Sequence, residues 1–253
     1  MLAKLPNSER VYRILDLLQR RTVATFSELA MEFHVSEMTI RRDLEALDST
    51  GQVLKIPGGV RLARGILGER PFLERLQRNS EAKSRIGRLA ASVVADDESV
   101  VLDSGTTTLH IAQHLKQRRC KVITFSIAAL EELAQSPTVR VELTGGVFRA
   151  SSNDLVGSAM IETLGSIRAD KVFFGAAALS LKGIAMVNDA EAPRNLPQSG
   201  RQKILVLDST KIDTEALYRF CSLSQCDMLI TDAGASAAAI KELRRFVEVR
   251  TAE

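Results

Sequence analysis

Apolar residues recur at helical spacing through the first fifty residues and predict three short helices. Ser8, Ser27 and Ser36 stand where N-caps belong, because a serine hydroxyl can accept an amide proton that a helix start leaves without a partner. Only His34 and Val35 separate the second helix from Ser36, which is helix-turn-helix spacing. The apolar stripes of the three helices are Val11, Ile14, Leu15 and Leu18; Leu29, Ala30 and Phe33; and Ile40, Leu44 and Leu47.

The third helix, which we expect to begin at Glu37, has a second face that is suited to reading DNA. Met38, Thr39 and Arg42 lie opposite its apolar stripe, and Arg41 lies on the flank. In the major groove Arg can form two hydrogen bonds with guanine, while Thr and Met can contact a thymine methyl group. In isolation the pattern would equally fit a surface helix with a solvated charged face. The same helix also carries three acidic residues, Glu37, Asp43 and Glu45. They are compatible with the DNA major groove only if they point along its edge or pair with Arg41 and Arg42.

Downstream of this helix, two short strands are predicted around Pro57-Gly58-Gly59. Because Gly51 is a typical end for the third helix, residues 1–62 predict a winged helix-turn-helix domain. Lys55 and Arg61 are candidates for phosphate contacts, since the hairpin should lie along the DNA backbone beside the groove. Four arginines of the first helix could also contact phosphate, although solvation is the simpler role for most of them: Arg10, Arg13, Arg20 and Arg21.

The rest of the chain predicts a separate α/β domain. Residues 63–80 are charged and lack a clear period, so they predict a connection, with Pro71 near the start of a short helical piece. In residues 81–253 apolar runs alternate with helical stretches, which predicts a mostly parallel, Rossmann-like sheet with ligands at the carboxyl ends of its strands. The predicted strands are Ser99–Leu102, Lys121–Phe125, Val139–Thr144, Lys171–Ala176, Lys203–Leu207, Met228–Thr231 and Val247–Arg250. The predicted helices are Glu81–Val94, Leu109–Gln117, Ile127–Gln135, Ile161–Leu164 and Ala237–Arg245.

The clearest ligand signal follows the first strand of this domain, at Asp103-Ser104-Gly105-Thr106-Thr107-Thr108. Backbone amides at a helix N-terminus, a permissive glycine and several hydroxyls can cradle a phosphate, and the aspartate could accept a hydrogen bond from a sugar hydroxyl. Ser and Thr are also ordinary N-cap residues, so this pattern leaves plain capping open. Other strand ends place small, polar or cationic groups at the same edge: Ser126, Gly145, Gly146, Arg149 and Lys211.

Charge and composition limit how the chain could bind DNA, whether it holds a metal and where in the cell it is located. With 34 Lys and Arg against 31 Asp and Glu, DNA binding must rest on placed cations rather than on bulk charge. Two copies on paired half-sites would double the phosphate contacts, so we expect a homo-oligomer, either a dimer or a tetramer. The three cysteines lack the spacing of a metal site. His110 and His114 are four residues apart on a predicted helix and could ligate one ion, but the first lacks the following Glu of a hydrolytic zinc site, so surface or packing roles and no metal are expected. The first residues lack the apolar core of a signal peptide and no apolar run could span a bilayer, which predicts a cytoplasmic protein.

In these motifs the sequence resembles the DeoR family of bacterial transcriptional regulators. In the first domain the resemblance rests on residues 35–44 (Val-Ser-Glu-Met-Thr-Ile-Arg-Arg-Asp-Leu), Leu47, Gly51 and Gly58-Gly59. In the second domain it is looser and rests on Asp103–Thr107, Gly145-Gly146 with Arg149, Gly157 and Asp208–Lys211.

The resemblance implies a repressor of carbohydrate uptake or catabolism genes that binds an operator in double-stranded DNA. It also implies that the second domain is related in fold to sugar-phosphate isomerases and senses a phosphorylated sugar or a related metabolite. The residues implied to contact DNA are Ser36, Met38, Thr39, Arg41, Arg42, Lys55 and Arg61. Those implied to line an effector pocket are Asp103, Ser104, Gly105, Thr106, Thr107, Ser126, Gly145, Gly146, Arg149 and Lys211.

The sequence departs from the family pattern at several positions. Pro57 replaces a common His in the wing, where it would stiffen the turn. In the second domain Phe125 replaces Asn, Ala177-Ala178 replaces Asp-Gly, and Pro193 replaces the Lys that commonly precedes Arg194. The loss of these polar groups implies either a ligand that differs from the usual sugar phosphate or a DNA binder whose effector response is weakened or lost.

An isomerase-like enzyme is the main alternative from another class. Isomerisation of a sugar phosphate needs a positioned base and a group that polarises the carbonyl, and Ala177 and Pro193 replace the obvious candidates. Asp189 or Glu191 could still act as a base, although an acid in a loop is more often simply exposed. We therefore predict neither catalytic residues nor a cofactor.

Overall fold

The computed structural model divides the chain into two compact units, Met1–Gly68 and Glu69–Glu253. The residues that the structure describes are 10–11, 13–14, 17–18, 23–49, 53–62, 72–189 and 192–253. Several sequence predictions fall outside these residues: those for Ser8, Arg20, Arg21, Gly51 and Glu191.

The smaller unit combines helices with a three-stranded antiparallel sheet. Residues 10–11, 13–14 and 17–18 are helical, and Ile14 and Leu18 are completely buried. The other elements are β1 (Val23–Thr25), α1 (Phe26–Glu32), α2 (Glu37–Ser49), β2 (Val53–Ile56) and β3 (Gly59–Leu62), with β3 between β1 and β2 in the sheet. One apolar cluster joins these elements, and it includes Ile14, Leu18, Leu29, Ile40, Leu44, Val53 and Val60. The predicted helix-turn-helix and hairpin wing are therefore confirmed.

The two helices of this motif have different caps. Ser36 caps α2 as predicted, since its Oγ accepts a hydrogen bond of 3.2 Å from the Thr39 amide. The prediction that Ser27 caps α1 is wrong, because Thr25 is the N-cap. The Thr25 hydroxyl accepts from the Glu28 amide at 3.1 Å, and the Glu28 carboxylate accepts from the Thr25 amide at 2.7 Å. This reciprocal capping box begins α1 directly after β1.

The wing depends on its two glycines. Gly58 has a φ of +79°, a conformation that favours glycine over residues with a Cβ. A Cβ on Gly59 would lie 2.4 Å from the Ala24 carbonyl oxygen, because β1 and β3 approach closely there. The Gly58 carbonyl also accepts a hydrogen bond of 3.1 Å from the Phe26 amide, which ties the wing turn to the start of α1.

The larger unit is built on a seven-stranded parallel sheet of order β15-β14-β12-β9-β4-β5-β6. Its strands are β4 (Ser99–Leu102), β5 (Cys120–Thr124), β6 (Val139–Leu143), β9 (Ala169–Phe174), β12 (Gly200–Val206), β14 (Met228–Asp232) and β15 (Glu248–Ala252). Its helices are α3 (Phe72–Gln77), α4 (Ser80–Ser92), α5 (Thr106–Leu115), α6 (Ile127–Leu133), α7 (Ser158–Ser166) and α8 (Ala237–Leu243). Consecutive residues of β4 alternate between two cores: Val100 and Leu102 belong to the core with α4 to α6, and Val101 to the core with α7 and α8. The predicted parallel sheet covered on both faces is confirmed.

Several elements at the carboxyl edge of the sheet were not predicted. A two-stranded hairpin joins β7 (Val147–Arg149) to β8 (Asp154–Val156), and a small antiparallel sheet contains β10 (Ala178–Leu179), β11 (Ile184–Val187) and β13 (Tyr218–Ser222). Three short 3-10 turns complete the unit: Leu196–Ser199, Ser209–Lys211 and Leu223–Gln225. Of these turns, Ser209–Lys211 follows β12, whereas Leu196–Ser199 and Leu223–Gln225 precede β12 and β14.

Candidate functional site

Helix α2 has the two faces that the sequence predicted. Ile40 and Leu44 are completely buried, whereas Met38 is 69% exposed and Arg42 is also exposed. Thr39 is half-buried, and its hydroxyl lies 2.9 Å from the Ser36 Oγ at the helix start. The outward face near the N-terminus of α2 therefore presents an apolar side chain, a hydroxyl and a guanidinium group.

Arg41 is held against the protein more closely than Arg42. Its guanidinium carbon lies 4.0 Å from the centre of the Phe26 ring, a cation–π contact with the first residue of α1. One of its guanidinium nitrogens is 3.9 Å from the Glu37 carboxylate, one turn earlier in α2. These contacts place Arg41 at the flank of the exposed face, as predicted.

The expected position of Asp43 is wrong, because its side chain is 3% exposed and points into the unit. Arg10 in the first helix donates to it through Nε at 2.5 Å and through Nη2 at 3.0 Å. Arg10 is 7% exposed, so the solvated or phosphate-binding role considered for it is also wrong. The pair joins the first helix to the inner side of α2, whereas Glu37 and Glu45, the other two acidic residues considered, are exposed.

The two candidate phosphate contacts of the wing lie on opposite faces of its sheet. Lys55 pairs across the strands with the buried Val60, whereas Arg61 is the next residue along β3 and so points the other way. The Lys55 ammonium is 3.4 Å from the Asp48 carboxylate, near the end of α2. Arg61 stands across from the exposed Val23. The structure therefore does not bring the two cations together.

The larger unit carries a cleft of about 770 Å³, including the space at its mouth, at the carboxyl edge of the parallel sheet. This is where a parallel α/β sheet usually binds its ligand. Seven of the predicted effector residues line it: Asp103, Ser104, Gly105, Thr106, Thr107, Arg149 and Lys211. Phe125, Ala177 and Pro193, which replace polar residues of the family pattern, line it as well.

The N-terminus of α5 opens into this cleft. Helix α5 begins at Thr106, three residues before the predicted start, and its N-cap is Gly105, which has no side chain to offer to the first turn. The hydroxyls that could have capped it bind elsewhere: Ser104 Oγ donates to Asp154 at 2.9 Å, and Thr108 Oγ1 donates to the carbonyl oxygens of Asp103 and Gly105, both at 2.7 Å. Plain capping by Ser104 or Thr108 therefore does not account for this loop.

Asp103 has a positioning role in this loop. Its carboxylate accepts hydrogen bonds from the Ser104 amide at 2.7 Å and from the Gly175 amide at 2.8 Å. Gly175 directly follows β9, which is the neighbour of β4 in the sheet. The aspartate therefore fixes the loop after β4 to the end of the adjacent strand.

Arg149 forms a buried ionic cluster at the other side of the cleft. It donates to Asp154 through Nε at 3.0 Å and Nη2 at 2.8 Å, and to Asp189 through Nη1 at 2.5 Å. Burial lowers the pKa of the guanidinium, but the hydrogen bonds to Asp154 and Asp189 outweigh it, so the pKa lies above its ordinary value. Asp154 and Asp189 thus surround the charge of Arg149 with two carboxylates. The Lys211 ammonium donates to the Ala176 carbonyl oxygen at 2.7 Å.

Three predicted residues do not line the cleft. Ser126 is 1% exposed and caps α6 by accepting from the Ala129 amide at 3.2 Å. Gly145 and Gly146 lie in the turn between β6 and β7, where both have positive φ and a Cβ on Gly146 would lie 2.7 Å from the Val156 carbonyl oxygen. These positions shape the hairpin beside the cleft.

Other lining residues were missed by the sequence interpretation. Arg75, Asp154 and Asn188 line the cleft, and no pattern in the sequence marks them, since each reaches it through tertiary packing. Asp189, considered as a base, is the carboxylate that pairs with Arg149. Of the two histidines considered as metal ligands, His114 is exposed, whereas His110 is buried and burial lowers its pKa.

A helix-turn-helix unit, followed by an α/β unit with a cleft at the carboxyl edge of its sheet, is the architecture of a transcriptional regulator with a sensor domain. Residues 10–64 match the DeoR-like helix-turn-helix domain, and residues 78–233 match the DeoR C terminal sensor domain. The chain belongs to the DeoR family of transcriptional regulators, and it is a regulator rather than an enzyme.

Similar proteins span nearly the whole chain. The HTH-type transcriptional repressor GlcR of Bacillus subtilis is 34% identical over 226 residues, which cover 88% of each chain. A lactose phosphotransferase system repressor of Lactococcus lactis is 31% identical over 250 residues, which cover 96% of this chain and 98% of the relative. Among solved structures, ribose 5-phosphate isomerase A of Methanocaldococcus jannaschii is 14% identical with a TM-score of 0.39, over 53% of this chain and 55% of that one. In the described part of the chain, no helix is both long and apolar enough to cross a membrane.

Proposed function

We propose that this protein represses genes for carbohydrate uptake or catabolism. In this proposal a phosphorylated sugar or related metabolite binds in the cleft of the larger unit and changes the affinity of the protein for its operator. The observation that carries the ligand class is the N-terminus of α5, which has Gly105 as its N-cap and lines the cleft together with Lys211. Amides at a helix N-terminus and a nearby ammonium group suit a phosphate. The name of the lactose phosphotransferase system repressor supports the sugar part of the proposal.

For the DNA-binding surface, we rank Arg42 first among the base readers. It is exposed on α2, whereas the Arg41 guanidinium is stacked on Phe26 and approaches Glu37. Met38 and Thr39 lie nearer the helix start and would contact adjacent bases, and the Ser36 amide region would contact backbone phosphate. On the wing, the outward face of Arg61 makes it the better phosphate contact, since Lys55 is engaged by Asp48.

The seven lining residues predicted for the effector fall into two roles in this proposal. Gly105, Thr106 and Thr107 bring the amides of the α5 N-terminus to the phosphate, and Lys211 supplies the opposite charge. Asp103, Ser104 and Arg149 hold the surrounding loops in place through their hydrogen bonds. The apolar Phe125, Ala177 and Pro193 would then meet the less polar part of the metabolite.

We also propose that the active form contains at least two copies. The charges of the chain nearly balance, so one copy offers few phosphate contacts, and a pair on two half-sites would double them. Sedimentation of the purified chain at micromolar concentration should therefore give a dimer or a tetramer. A monomer that binds its operator as tightly as expected for a repressor would contradict this part of the proposal.

The test of DNA reading is Arg42→Ala, with Arg140→Ala, an exposed arginine of the larger unit, as the control. Binding is measured on the DNA that flanks the protein's own gene and on a random duplex of equal length. Loss of a bidentate base contact should cost about 1–3 kcal/mol on the specific site. The random duplex and the control variant should change much less. An unchanged preference for the specific site would remove Arg42 from the reading face.

A further inference from the structure

Asp154, at the start of β8, lies in the wall of the cleft but offers it almost no surface. The residue lines the cleft and is only 1% exposed. Both oxygens of its carboxylate accept hydrogen bonds: Oδ1 from Arg149 Nε at 3.0 Å, and Oδ2 from Arg149 Nη2 at 2.8 Å and from Ser104 Oγ at 2.9 Å. A ligand in the cleft would therefore meet the groups that Asp154 holds rather than Asp154 itself.

The backbone of Asp154 is held from two sides. On one side β8 pairs with β7, where Arg149 stands opposite Asp154. On the other side Asp154 forms a bridge with Ser126, shortly after the end of β5, and the Leu155 amide donates to the Phe125 carbonyl oxygen at 2.8 Å. The carboxylate therefore projects from a fixed point of the larger unit.

Ser104 is the residue through which Asp154 reaches the N-terminus of α5. Its hydroxyl donates to Asp154, and its amide donates to Asp103 at 2.7 Å. Asp103 in turn accepts from the Gly175 amide at 2.8 Å, directly after β9. Ser104 is thus held by the hairpin through its side chain and by the sheet through its backbone. Because Gly105, the N-cap of α5, follows directly, these bonds help to set the direction of the first amides of α5.

The same carboxylate is connected to a third segment through Arg149. Arg149 also donates through Nη1 to Asp189 at 2.5 Å, in the loop after β11. The loop after β4, the β7–β8 hairpin and the loop after β11 are far apart in sequence, and the buried carboxylate of Asp154 joins them. Loss of one member of such a group removes the partner of the others, so its geometry depends on every member.

The charge of Asp154 is unfavourable for an anion in this cleft. A carboxylate repels a phosphate at short range, so on electrostatic grounds alone the removal of its charge would tighten the binding of an anion. Arg149, with one carboxylate fewer beside it, would add to this gain. If Asp154 instead serves to hold Ser104 and the loop before α5, its removal weakens binding. The two roles therefore predict changes of opposite sign.

We propose that Asp154 is a positioning residue of the effector site, which acts through Ser104 to hold the N-terminus of α5 in the orientation that binds the anionic group of the effector. This inference rests on the proposed function, because it needs an anionic effector at that helix. A site that is already ordered binds more tightly, since less freedom is lost on binding. This gain outweighs the repulsion from a carboxylate that is already paired with Arg149.

The test is a double-mutant cycle on the full chain that combines Asp154→Ala with Ser104→Ala. Ser104→Thr is the conservative variant, because it keeps a hydroxyl at this position. Ser99→Ala and Asp170→Asn serve as matched controls, since Ser99 Oγ donates to Asp170 at 2.7 Å at the opposite end of β4. Calorimetry gives the affinity of each variant for glucose 6-phosphate, ribose 5-phosphate and inorganic phosphate, and thermal unfolding gives its stability.

We expect Asp154→Ala and Ser104→Ala each to weaken the binding of the probe that the wild type binds by about tenfold. The double variant should bind little more weakly than Asp154→Ala, because that substitution has already removed the partner of Ser104. Ser104→Thr should keep most of the affinity. The two control variants should bind as the wild type does, even where they unfold at a lower temperature.

Tighter binding by Asp154→Ala would overturn the inference, since the carboxylate would then act mainly by repelling the anion. Unchanged binding by Ser104→Ala, independent effects of the two substitutions, or an equal loss of affinity in the control variants would also overturn it. In each of these cases the wild type still binds its probe, so the proposed function stands. If no probe binds the wild type, the proposed effector function fails, and this inference fails with it.

Discussion

A buried ion pair joins α2 to the first helix of the smaller unit. Arg10 and Asp43 are 33 residues apart in sequence, almost completely buried, and joined by two hydrogen bonds. Removing one partner of such a pair is costly, because the other charge then stays buried without compensation.

The first prediction follows from this geometry. Asp43→Asn should lower the free energy of unfolding of the smaller unit by about 3–5 kcal/mol, as is typical when one member of a buried pair is lost. Asp43→Leu combined with Arg10→Met should recover part of the loss, since both charges are then absent. Denaturant titration followed by circular dichroism measures the change, with Glu45→Gln as an exposed control on the same helix. Unfolding of Asp43→Asn at the wild-type midpoint would show that the pair contributes little.

At the scale of single residues, sequence reasoning identified the exposed face of α2 and misjudged the charges beside it. Met38 and Arg42 follow from helical periodicity, which is a local property. The partner of Asp43 lies in another helix, so no local pattern distinguishes it from the exposed Glu45. Arg75 was missed for the same reason, because only tertiary packing brings it to the cleft.

Among the elements, α1 offers a sharp test of local structure, since it has two candidate caps two residues apart. Thr25→Ala should destabilise the smaller unit by about 1 kcal/mol, because it removes the cap and its reciprocal bond with Glu28. Ser27→Ala, the matched control inside the first turn, should be close to neutral. Thermal unfolding of both variants makes the comparison. An equal or larger loss for Ser27→Ala would contradict the assignment of Thr25.

The strands of the main sheet could be predicted because they are buried on both faces and form continuous apolar runs. The bounds of β4 agree with the prediction, whereas β12 begins at Gly200 and was expected at Lys203, since its first residues are polar or small. The β7–β8 hairpin and the β10–β11–β13 sheet were missed because their strands have only two to five residues and no apolar alternation. These irregular pieces build much of the cleft, so its outline could not be read from the sequence.

Helix α3 lies in a segment that the sequence predicted to be a connection between domains. Residues 63–80 were expected to join two domains, and of these the structure describes 72–80, which form α3 and the start of α4 within the larger unit. The buried Phe72 explains this, because it packs with Ile86 in the core beside α4 and α5. The segment therefore contributes both core and cleft.

For the whole molecule, the numbers of positive and negative side chains are nearly equal, so DNA binding depends on specific contacts. A surplus of three cations over the full chain supplies little non-specific attraction to DNA, so the proposed function assigns recognition to α2, the wing and the pairing of copies. Control by a metabolite then requires that the effector bind the DNA-free and DNA-bound forms with different affinities.

The measurement that tests this account most directly is a titration of the DNA flanking the protein's own gene at moderate salt, alone and with a panel of hexose and pentose phosphates. We predict preferential binding over random duplex, weakened by at least one phosphorylated sugar and unaffected by the same sugar without its phosphate. Equal binding to all duplexes, with and without every member of the panel, would contradict the account.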